Sequence, residues 1–333
     1  MAYYEMQCSR EMREAYHAIL KGALAVESAI RVPLLDVRLL SETVTILRLD
    51  HPEIFYFTGF SVRAVSGAEY GDLLPEYLFP RDKILAHRKA IEARAERLTR
   101  PIREKSQEEK LLFLHDFILE NVRYDKLKKP YSHEVIGPLT QGVGVCEGIA
   151  KTVKLLADAV GLECIVALSD PEEGKRYGHT WNVVKCEGKW YQLDATFDLS
   201  LSACGEKRYD YFLLPDGLLY RDHRKPVYPV PECSDSGSFY YKKKKLSFTK
   251  EEELRKRIAQ YAKKKKSHFV FHWRGDVLTR ERIGKLCLLI RDGAAEGGRG
   301  AELSLNAPQA VFFVRFTEKQ EEMEPVLESA DEE

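Results

Sequence analysis

The chain has 333 residues, 44% hydrophobic and 31% charged, which is the composition of an ordinary globular protein large enough for two or three domains. Its 52 basic and 52 acidic residues balance, so composition gives no overall attraction to nucleic acid or acidic lipid. The seven scattered cysteines, an odd number without a CxxC pair, argue against zinc ribbons and a complete disulfide framework.

The sequence also lacks the features of a membrane or exported protein. No apolar stretch approaches the ~20 residues that span a bilayer, and the charged N-terminus lacks the apolar core of a signal peptide. We therefore expect a cytoplasmic protein with no membrane partner.

The first hundred residues are predicted to be mainly helical. Helical periodicity runs over 9–30 and 81–99, residues 37–49 fit either a helix or a strand, and the aromatic, β-branched stretch 54–65 favours a strand. The helix predicted over 106–123 opens with Ser106 and Glu109, a capping-box pair. We expect an N-terminal region over 1–100 and a catalytic core over 101–226.

A cysteine stands at the start of the next predicted helix. Apolar residues at helical spacing follow Cys146 as far as about Val160, and Gly161 is a C-terminal stop. A thiol attacks as its thiolate, and the positive end of a helix favours that form. Cys146 shares the apolar face of its helix, so we expect it to point at whatever that helix packs on.

Three strands are predicted after this helix, and the last two form a hairpin. With a two-residue turn at Glu187–Gly188, Asp194 pairs with Trp181 and lies on the same sheet face as His179. A three-residue turn would place the histidine and the aspartate on opposite faces. The predicted strands cover 164–169, 179–186 and 189–196.

These features together predict nucleophilic thiol catalysis. His179 would take the proton of Cys146 and later give it to a leaving amine, while Asp194 would orient the imidazole. The backbone N–H of Cys146 and the side chain of Gln141 would hold the oxyanion. A single cysteine or strand histidine is usually structural, but the agreement of order, spacing and face favours catalysis.

The stretches "SHEVIGPLTQGVGVCEGIAKTVKLLADAVGLEC", "GHTWNVVKCEGKWYQLDATFD" and "YDYFLLPDGLLYRDH" carry a family resemblance. They resemble the bacterial branch of the transglutaminase-like superfamily in a G-V-C helix start, an H-x-W-N strand and a W-Y-x-x-D-x-T strand. The resemblance implies an α+β, papain-like core with Cys146, His179 and Asp194 as the triad, supported by Trp181 and Asn182. Two departures are Phe197, where the family usually has Trp, and Ile149, where Tyr or Phe is common.

The superfamily includes cross-linking enzymes, proteases and other enzymes that form a thioester on their cysteine. We expect hydrolysis of amide bonds in peptides or proteins, because water is always present as the acceptor. Transfer to an amine, as in protein cross-linking, is one alternative. A catalytically silent binding or scaffold module of the same fold is the other.

The C-terminal third is predicted to be a separate accessory unit. A Pro- and Ser-rich linker over 227–238 precedes a small α/β domain over 239–317, and the acidic tail 318–333 is predicted to be disordered. Lysine runs at 242–245 and 263–266 are interpreted as solvated surface, so no nucleic-acid partner is expected. His268 and His272 share a strand face without an evident third ligand, so we expect neither a metal nor a cofactor.

Overall fold

A computed structural model of the chain describes residues 2–171, 178–202 and 205–318. The tail predicted to be disordered lies outside the described residues from position 319 onward. By its internal packing the chain divides into two compact units, which are described separately. Unit 1 comprises Met1–Tyr211 and Arg224–Cys233, and unit 2 comprises Phe212–His223 and Ser234–Glu333.

The long helices of unit 1 lie where the periodicity predicted them. The first is shorter than the predicted range 9–30, because it ends at Ala25 and Ile30 already belongs to a strand. The capping box of Ser106 and Glu109 forms as predicted, with each side chain bonded to the backbone of the other residue. The helix beginning at Cys146 ends where Gly161 takes a positive φ of 73°. The helices are α1 (Arg10–Ala25), α2 (Val37–Asp50), α3 (Arg81–Thr99), α4 (Gln107–Asn121), α5 (Cys146–Ala159) and α6 (Ala195–Leu201).

Unit 1 has two antiparallel sheets and a short parallel strand pair. The first sheet has the order β1-β3-β2, with β1 at Ile30–Pro33, β2 at Phe57–Arg63 and β3 at Tyr70–Tyr77. The parallel pair joins β4 (Arg123–Tyr124) to β5 (Val143–Gly144). In the second sheet, β7 (Thr180–Cys186) lies between β6 (Cys164–Leu168) and β8 (Lys189–Leu193). The fold is thus α+β, as predicted.

Helix α5 is the centre of unit 1. It packs on β6 and β7 on one side and on α4 on another, and most of its side chains are buried. The burial of two lysines, Lys151 and Lys154, shows that the helix has no free face, because lysine is buried only when it is paired. The predicted apolar stripe is buried as expected, at Ile149, Ala150, Val153, Leu156, Ala157 and Val160.

The N-terminal segment is tied to the same core. The carboxylate of Asp50 accepts hydrogen bonds from the backbone N–H groups of Tyr3, Tyr4 and Glu5 at 2.9–3.1 Å. The hydroxyl of Tyr4 donates to the carbonyl of Val166 in β6 at 2.8 Å. The first residues of the chain are therefore held against the sheet that α5 packs on.

Unit 2 is a four-stranded sheet with two long helices on one face. The sheet order is β10-β11-β13-β12, and α9 and α10 share a hydrophobic core with alternate residues of β11 and β13. None of the described helices in either unit is long and apolar enough to cross a membrane. The elements are β9 (Phe212–Leu214), α7 (Asp216–Leu219), α8 (Tyr240–Lys243), β10 (Ser247–Phe248), α9 (Glu251–Lys263), β11 (His268–Trp273), α10 (Arg280–Glu296), β12 (Gly300–Asn306) and β13 (Val311–Thr317).

The prediction of a strand over 239–247 is wrong. Its aromatic residues favour a strand by type, but Tyr240–Lys243 form the single turn α8, and only Ser247 of the range lies in a strand. Tyr241 lies in this turn and its side chain is buried, so the segment buries an aromatic ring without forming strand hydrogen bonds.

Candidate active site

Cys146 is the first residue of α5, directly after β5. Its helix has no side-chain cap, since the residue before it is Val145, so backbone N–H groups of the first turn remain available beside the thiol. Gly148 fixes the position of this turn, because a Cβ there would lie 2.2 Å from the carbonyl oxygen of Ser132. Val145 also donates its N–H to that oxygen at 3.0 Å. The thiol is half-buried.

His179 immediately precedes β7. Its N–H donates to Oγ of Ser169 at 3.2 Å, and its carbonyl accepts from the N–H of Ser169 at 2.9 Å. The preceding Gly178 is required by close packing, since a Cβ there would lie 1.8 Å from the carbonyl oxygen of Ser169. These contacts fix the backbone that carries the imidazole.

Asp194 reaches His179 by a different route from the predicted ladder. The hairpin register is as predicted, with Cys186 opposite Lys189, but the ladder ends at Leu193. The predicted pairing of Asp194 with Trp181 does not form, because Asp194 caps α6. Its Oδ1 accepts from the N–H groups of Thr196 and Phe197 at 2.8 and 3.0 Å.

The second carboxylate oxygen of Asp194 contacts the histidine. The distance from His179 Nε2 to Asp194 Oδ2 is 2.5 Å, and the carboxylate is almost completely buried. His179 also makes a hydrogen bond with the Cys146 side chain. Because Asp194 occupies Nε2, the thiol is left with Nδ1. The structure therefore brings Cys146, His179 and Asp194 together in that order.

The electrostatics of this group favour a charged imidazole. Burial alone would lower the pKa of His179, but the charge of Asp194, its hydrogen bond and the interaction with Cys146 raise that pKa to about 10. A histidine with this pKa stays protonated at neutral pH. It can then act as the counter-ion of a thiolate.

The residues expected to support the site surround the imidazole. Trp181 is stacked near-parallel to His179 with ring centroids 5.9 Å apart, and its indole N–H donates to Gln192 Oε1 at 2.7 Å. The amide of Asn182 donates to the carbonyl of Ala150 at 2.9 Å, which joins β7 to α5. Phe197 contacts His179 at 4.9 Å between centroids. The substitution of Phe for the family's Trp thus lies directly against the imidazole.

Gln141 is the last residue of a π-helical turn, Gly137–Gln141, and is exposed. Its amide donates to Oγ1 of Thr140 at 3.3 Å, a contact with its own neighbour. Its part in an oxyanion hole stays a prediction.

Sequence reasoning did not single out Tyr124. It pairs with Gly144, two residues before the nucleophile. Burial and the negative charges of Cys146 and Asp194 raise the pKa of Tyr124 to about 12, so its hydroxyl stays protonated beside the site. The signal available in the sequence was the strand-like pair Arg123–Tyr124 directly after a helix.

A buried ionic network holds the first turn of α5. Lys151 Nζ lies 2.9 Å from Glu134 and 2.7 Å from Glu147, and Arg48 and His133 complete the network at 2.5 and 3.1 Å from these two carboxylates. Burial would raise the pKa of Glu147, but the charge of Lys151, the hydrogen bond from His133 and Arg48 keep it well below its usual range. The residue next to Cys146 is therefore anchored by charge.

A second buried histidine–carboxylate pair lies in unit 1. His115 Nε2 is 2.9 Å from Asp198 Oδ2, and both side chains are fully buried. The carboxylate also accepts from the N–H groups of Asp210 and Tyr211. Together these bonds make the pair a link between α4, α6 and the following chain. His115 is thus a core residue of unit 1.

Metal binding at the triad was not expected. Nε2 of His179 and Oδ2 of Asp194 are hydrogen-bonded to each other. The hydrogen bond between them already occupies Nε2. The absence of a metal cofactor stays a prediction.

The other cysteines differ from Cys146 in their surroundings. Of those that the structure describes, Cys146 and Cys287 are half-buried, and the rest are buried. Burial raises the pKa of Cys8 to about 11 and that of Cys164 to about 12, so both thiols are poor nucleophiles. Cys287, the other half-buried thiol, lies on α10 of unit 2.

Comparison with known proteins supports the family resemblance. Residues 92–195 match the family model described as the transglutaminase-like superfamily. No curated protein matches the chain.

Among solved structures, a protein described as a TGase is 13% identical, with a TM-score of 0.30 and coverage of 50% of each chain. A candidate cysteine protease from Cytophaga hutchinsonii is 15% identical, with a TM-score of 0.28 and coverage of 42% of this chain and 62% of that one. A candidate protease from Parabacteroides distasonis is 15% identical, with a TM-score of 0.25 and coverage of 41% and 36%.

This chain thus spans less than two thirds of each of those three solved chains. The matched segment 92–195 contains Cys146, His179 and Asp194. The match to the transglutaminase-like superfamily thus covers the part of the chain that carries the candidate site.

Proposed function

We propose that the protein is a thiol enzyme that hydrolyses amide bonds of peptides or proteins, with Cys146 as the nucleophile. The observation that carries the proposal is the hydrogen-bonded series from Cys146 through His179 to the buried carboxylate of Asp194. A carboxylate that keeps an imidazole charged beside a thiol is the arrangement that thiol acyl chemistry requires.

The reaction begins with the thiolate of Cys146 and the protonated imidazole of His179. The sulfur attacks the substrate carbonyl carbon, a C–S bond forms, and the carbonyl oxygen becomes an oxyanion next to the first-turn N–H groups of α5. The C–N bond then breaks, and His179 gives its proton to the departing amine. A thioester on Cys146 and a neutral imidazole remain.

The same electrostatics allow the second half of the reaction. The interaction with Cys146 is one cause of the raised pKa of His179, and it weakens once the sulfur is acylated. The neutral imidazole can then take a proton from water while the hydroxide attacks the thioester. Collapse releases the carboxylic acid and restores the thiolate and the protonated imidazole.

The test follows the acyl group. The full chain is incubated with a mixture of fluorescently labelled peptides, with and without a primary amine such as cadaverine, and the products are identified by mass spectrometry. We expect carboxylic acid products that contain oxygen from labelled water. Cys146→Ala should abolish them, while Cys287→Ala, which removes the other half-buried described thiol, should leave them unchanged.

Two outcomes would contradict the proposal. Products in which cadaverine replaces water at most cleaved or modified sites would assign amine transfer instead of hydrolysis. No acyl-enzyme on Cys146 with any peptide or amine, in a protein whose Cys146 also alkylates no faster than Cys287, would indicate a binding module without turnover.

A further inference from the structure

Unit 2 contains a basic cavity of about 790 Å³ at the start of α9. Ser247 and Phe248 of β10 and the residue after β11, Arg274, contribute to its wall. Its lining includes a single carboxylate, Glu253, and five cationic side chains, which are Lys242, Lys245, Lys256, Arg257 and Arg274. The cavity and all of its lining lie within unit 2.

The cations of this cavity are largely without counter-charges. Lys256 pairs with Glu252 at 3.2 Å, and Glu253 pairs with Lys250 outside the lining. Among the residues that the structure describes, the remaining four cations form no ion pair with a carboxylate: Lys242, Lys245, Arg257 and Arg274.

Elsewhere in unit 2 many cations have acidic partners. Lys285 lies 2.7 Å from Glu281, Arg282 lies 2.8 Å from Asp276, and Arg255 pairs with Glu296. Like charges gathered in one concave site repel each other unless an anion enters. The unpaired charge therefore collects where a ligand can reach it.

Part of the cavity wall is already oriented. Arg274 Nε donates to Oγ of Ser247 at 3.1 Å, and the same Oγ lies 2.9 Å from Nδ1 of the buried His272. Burial and the charges of Arg221 and Arg274 lower the pKa of His272 to about 4, so this histidine stays neutral. The arginine is held by its Nε. Its two terminal nitrogens form no hydrogen bond with any residue that the structure describes, so both can contact an anion together.

We propose that this cavity binds a small ligand that carries two or more phosphate groups. Its volume falls within the ~300–1,000 Å³ range of small-molecule sites. Single-stranded nucleic acid sites present exposed aromatic rings for base stacking, whereas the aromatic residue in this lining, Phe248, is largely buried. Several flexible cations around one oriented arginine suit adjacent phosphates.

The test is calorimetric titration of the full chain with inorganic tripolyphosphate at low salt. We expect saturable binding at one site, and orthophosphate should bind at least about tenfold more weakly because it engages fewer of the cations. The double variant Lys245→Gln/Arg257→Gln should weaken tripolyphosphate binding by about tenfold or more. The matched control Lys263→Gln/Lys264→Gln removes two positive charges outside the lining and should leave the affinity almost unchanged.

Three results would overturn the inference. Equal loss of affinity in both double variants would indicate diffuse charge attraction instead of a site. Equal affinity for orthophosphate and tripolyphosphate would exclude recognition of several phosphates. Residues 319–333 hold seven acidic side chains and could compete, so the titration is repeated on a chain ending at Glu318. Absence of binding in both the full and the shortened chain would exclude the site.

Discussion

His179 is the side chain whose ionisation matters most for the proposed reaction. Its raised pKa depends on the charge of Asp194 more than on its other polar neighbours. Asn at position 194 would remove that charge and still offer an oxygen to cap α6, since Asn is as good an N-cap as Asp. The charge and the fold can therefore be tested separately.

We expect Asp194→Asn to slow the alkylation of Cys146 by iodoacetamide at neutral pH by about tenfold, because the pKa of His179 falls by a unit or more. The measurement is site-resolved mass spectrometry across a pH series. Alkylation of Cys287 in the same samples is the internal control. An unchanged pH profile at Cys146 would show that the carboxylate does not govern the pair.

The same pKa predicts how stability depends on pH. In a Cys146→Ala background, which removes the thiol, Asp194 still keeps the pKa of His179 above its unfolded value of about 6.5. The stabilisation is complete below that unfolded value, where both states are protonated. It declines as pH rises, because the unfolded chain loses its proton first.

We therefore expect the free energy of unfolding of Cys146→Ala to fall by up to about 1.4 kcal/mol per pH unit above about pH 6.5. The decline should end at the folded pKa of His179. Denaturant unfolding at several pH values measures it. The double variant Cys146→Ala/His179→Gln should have a flatter profile, and identical slopes would contradict the raised pKa.

At the scale of elements, the sequence predicted turns and helix ends better than it predicted where a strand ends. The turn at Glu187–Gly188 takes positive φ at both residues, 48° and 79°, so its length and the register of β7 with β8 follow from two residues. The start and stop of α5 were likewise readable from local residues. The end of β8 was not, because alternation continues through Asp194 to Thr196 while capping favours a helix there.

The loop before β7 gives an element-level prediction. Gly178→Ala should displace the start of β7 and His179 with it, because its Cβ would overlap the backbone oxygen of Ser169. We expect loss of rapid Cys146 alkylation and a lower melting temperature. Gly284→Ala is the control, since nothing lies within 4 Å of its Cβ in α10 and the change should stabilise the helix by about 0.5–1 kcal/mol.

The buried ionic network at the first turn of α5 gives a second prediction at this scale. Glu134→Gln removes one of the two carboxylates beside Lys151 and Arg48. Because Glu147 remains as their partner, we expect the free energy of unfolding to fall by about 1–3 kcal/mol. Denaturant unfolding should show that loss. Glu109→Gln, an exposed capping residue on α4, should cost no more than about 1 kcal/mol. Equal effects would show that the buried network is not needed for stability.

At the scale of the whole molecule, the zero net charge of the chain hides an uneven distribution of charge along the sequence. Residues 234–318 hold 19 basic and 10 acidic side chains, and the rest of the chain holds 33 basic and 42 acidic ones. The balanced total therefore says little about which surfaces attract anions. The zero net charge of the chain therefore does not describe residues 234–318, and the absence of a nucleic-acid partner stays a prediction.

We expect the full chain to be retained on a cation exchanger at low salt near its pI of about 7.1, because local charge and not net charge governs adsorption. The salt concentration at elution measures the retention. Lys245→Gln/Arg257→Gln should elute earlier than the wild-type chain. Passage of the wild-type chain without retention would contradict the division of charge.

Asp194 caps α6 as well as contacting His179, whereas the side chain of Cys146 caps no helix and interacts with His179. A related chain without the proposed chemistry could exchange the cysteine freely, whereas its position 194 would still need a residue that caps α6, such as Asp or Asn. In related chains an aspartate at position 194 is then evidence that the fold is kept, and a cysteine at position 146 is evidence for the proposed activity. Surveys that give equal weight to Cys146, His179 and Asp194 will therefore count inactive relatives as active enzymes.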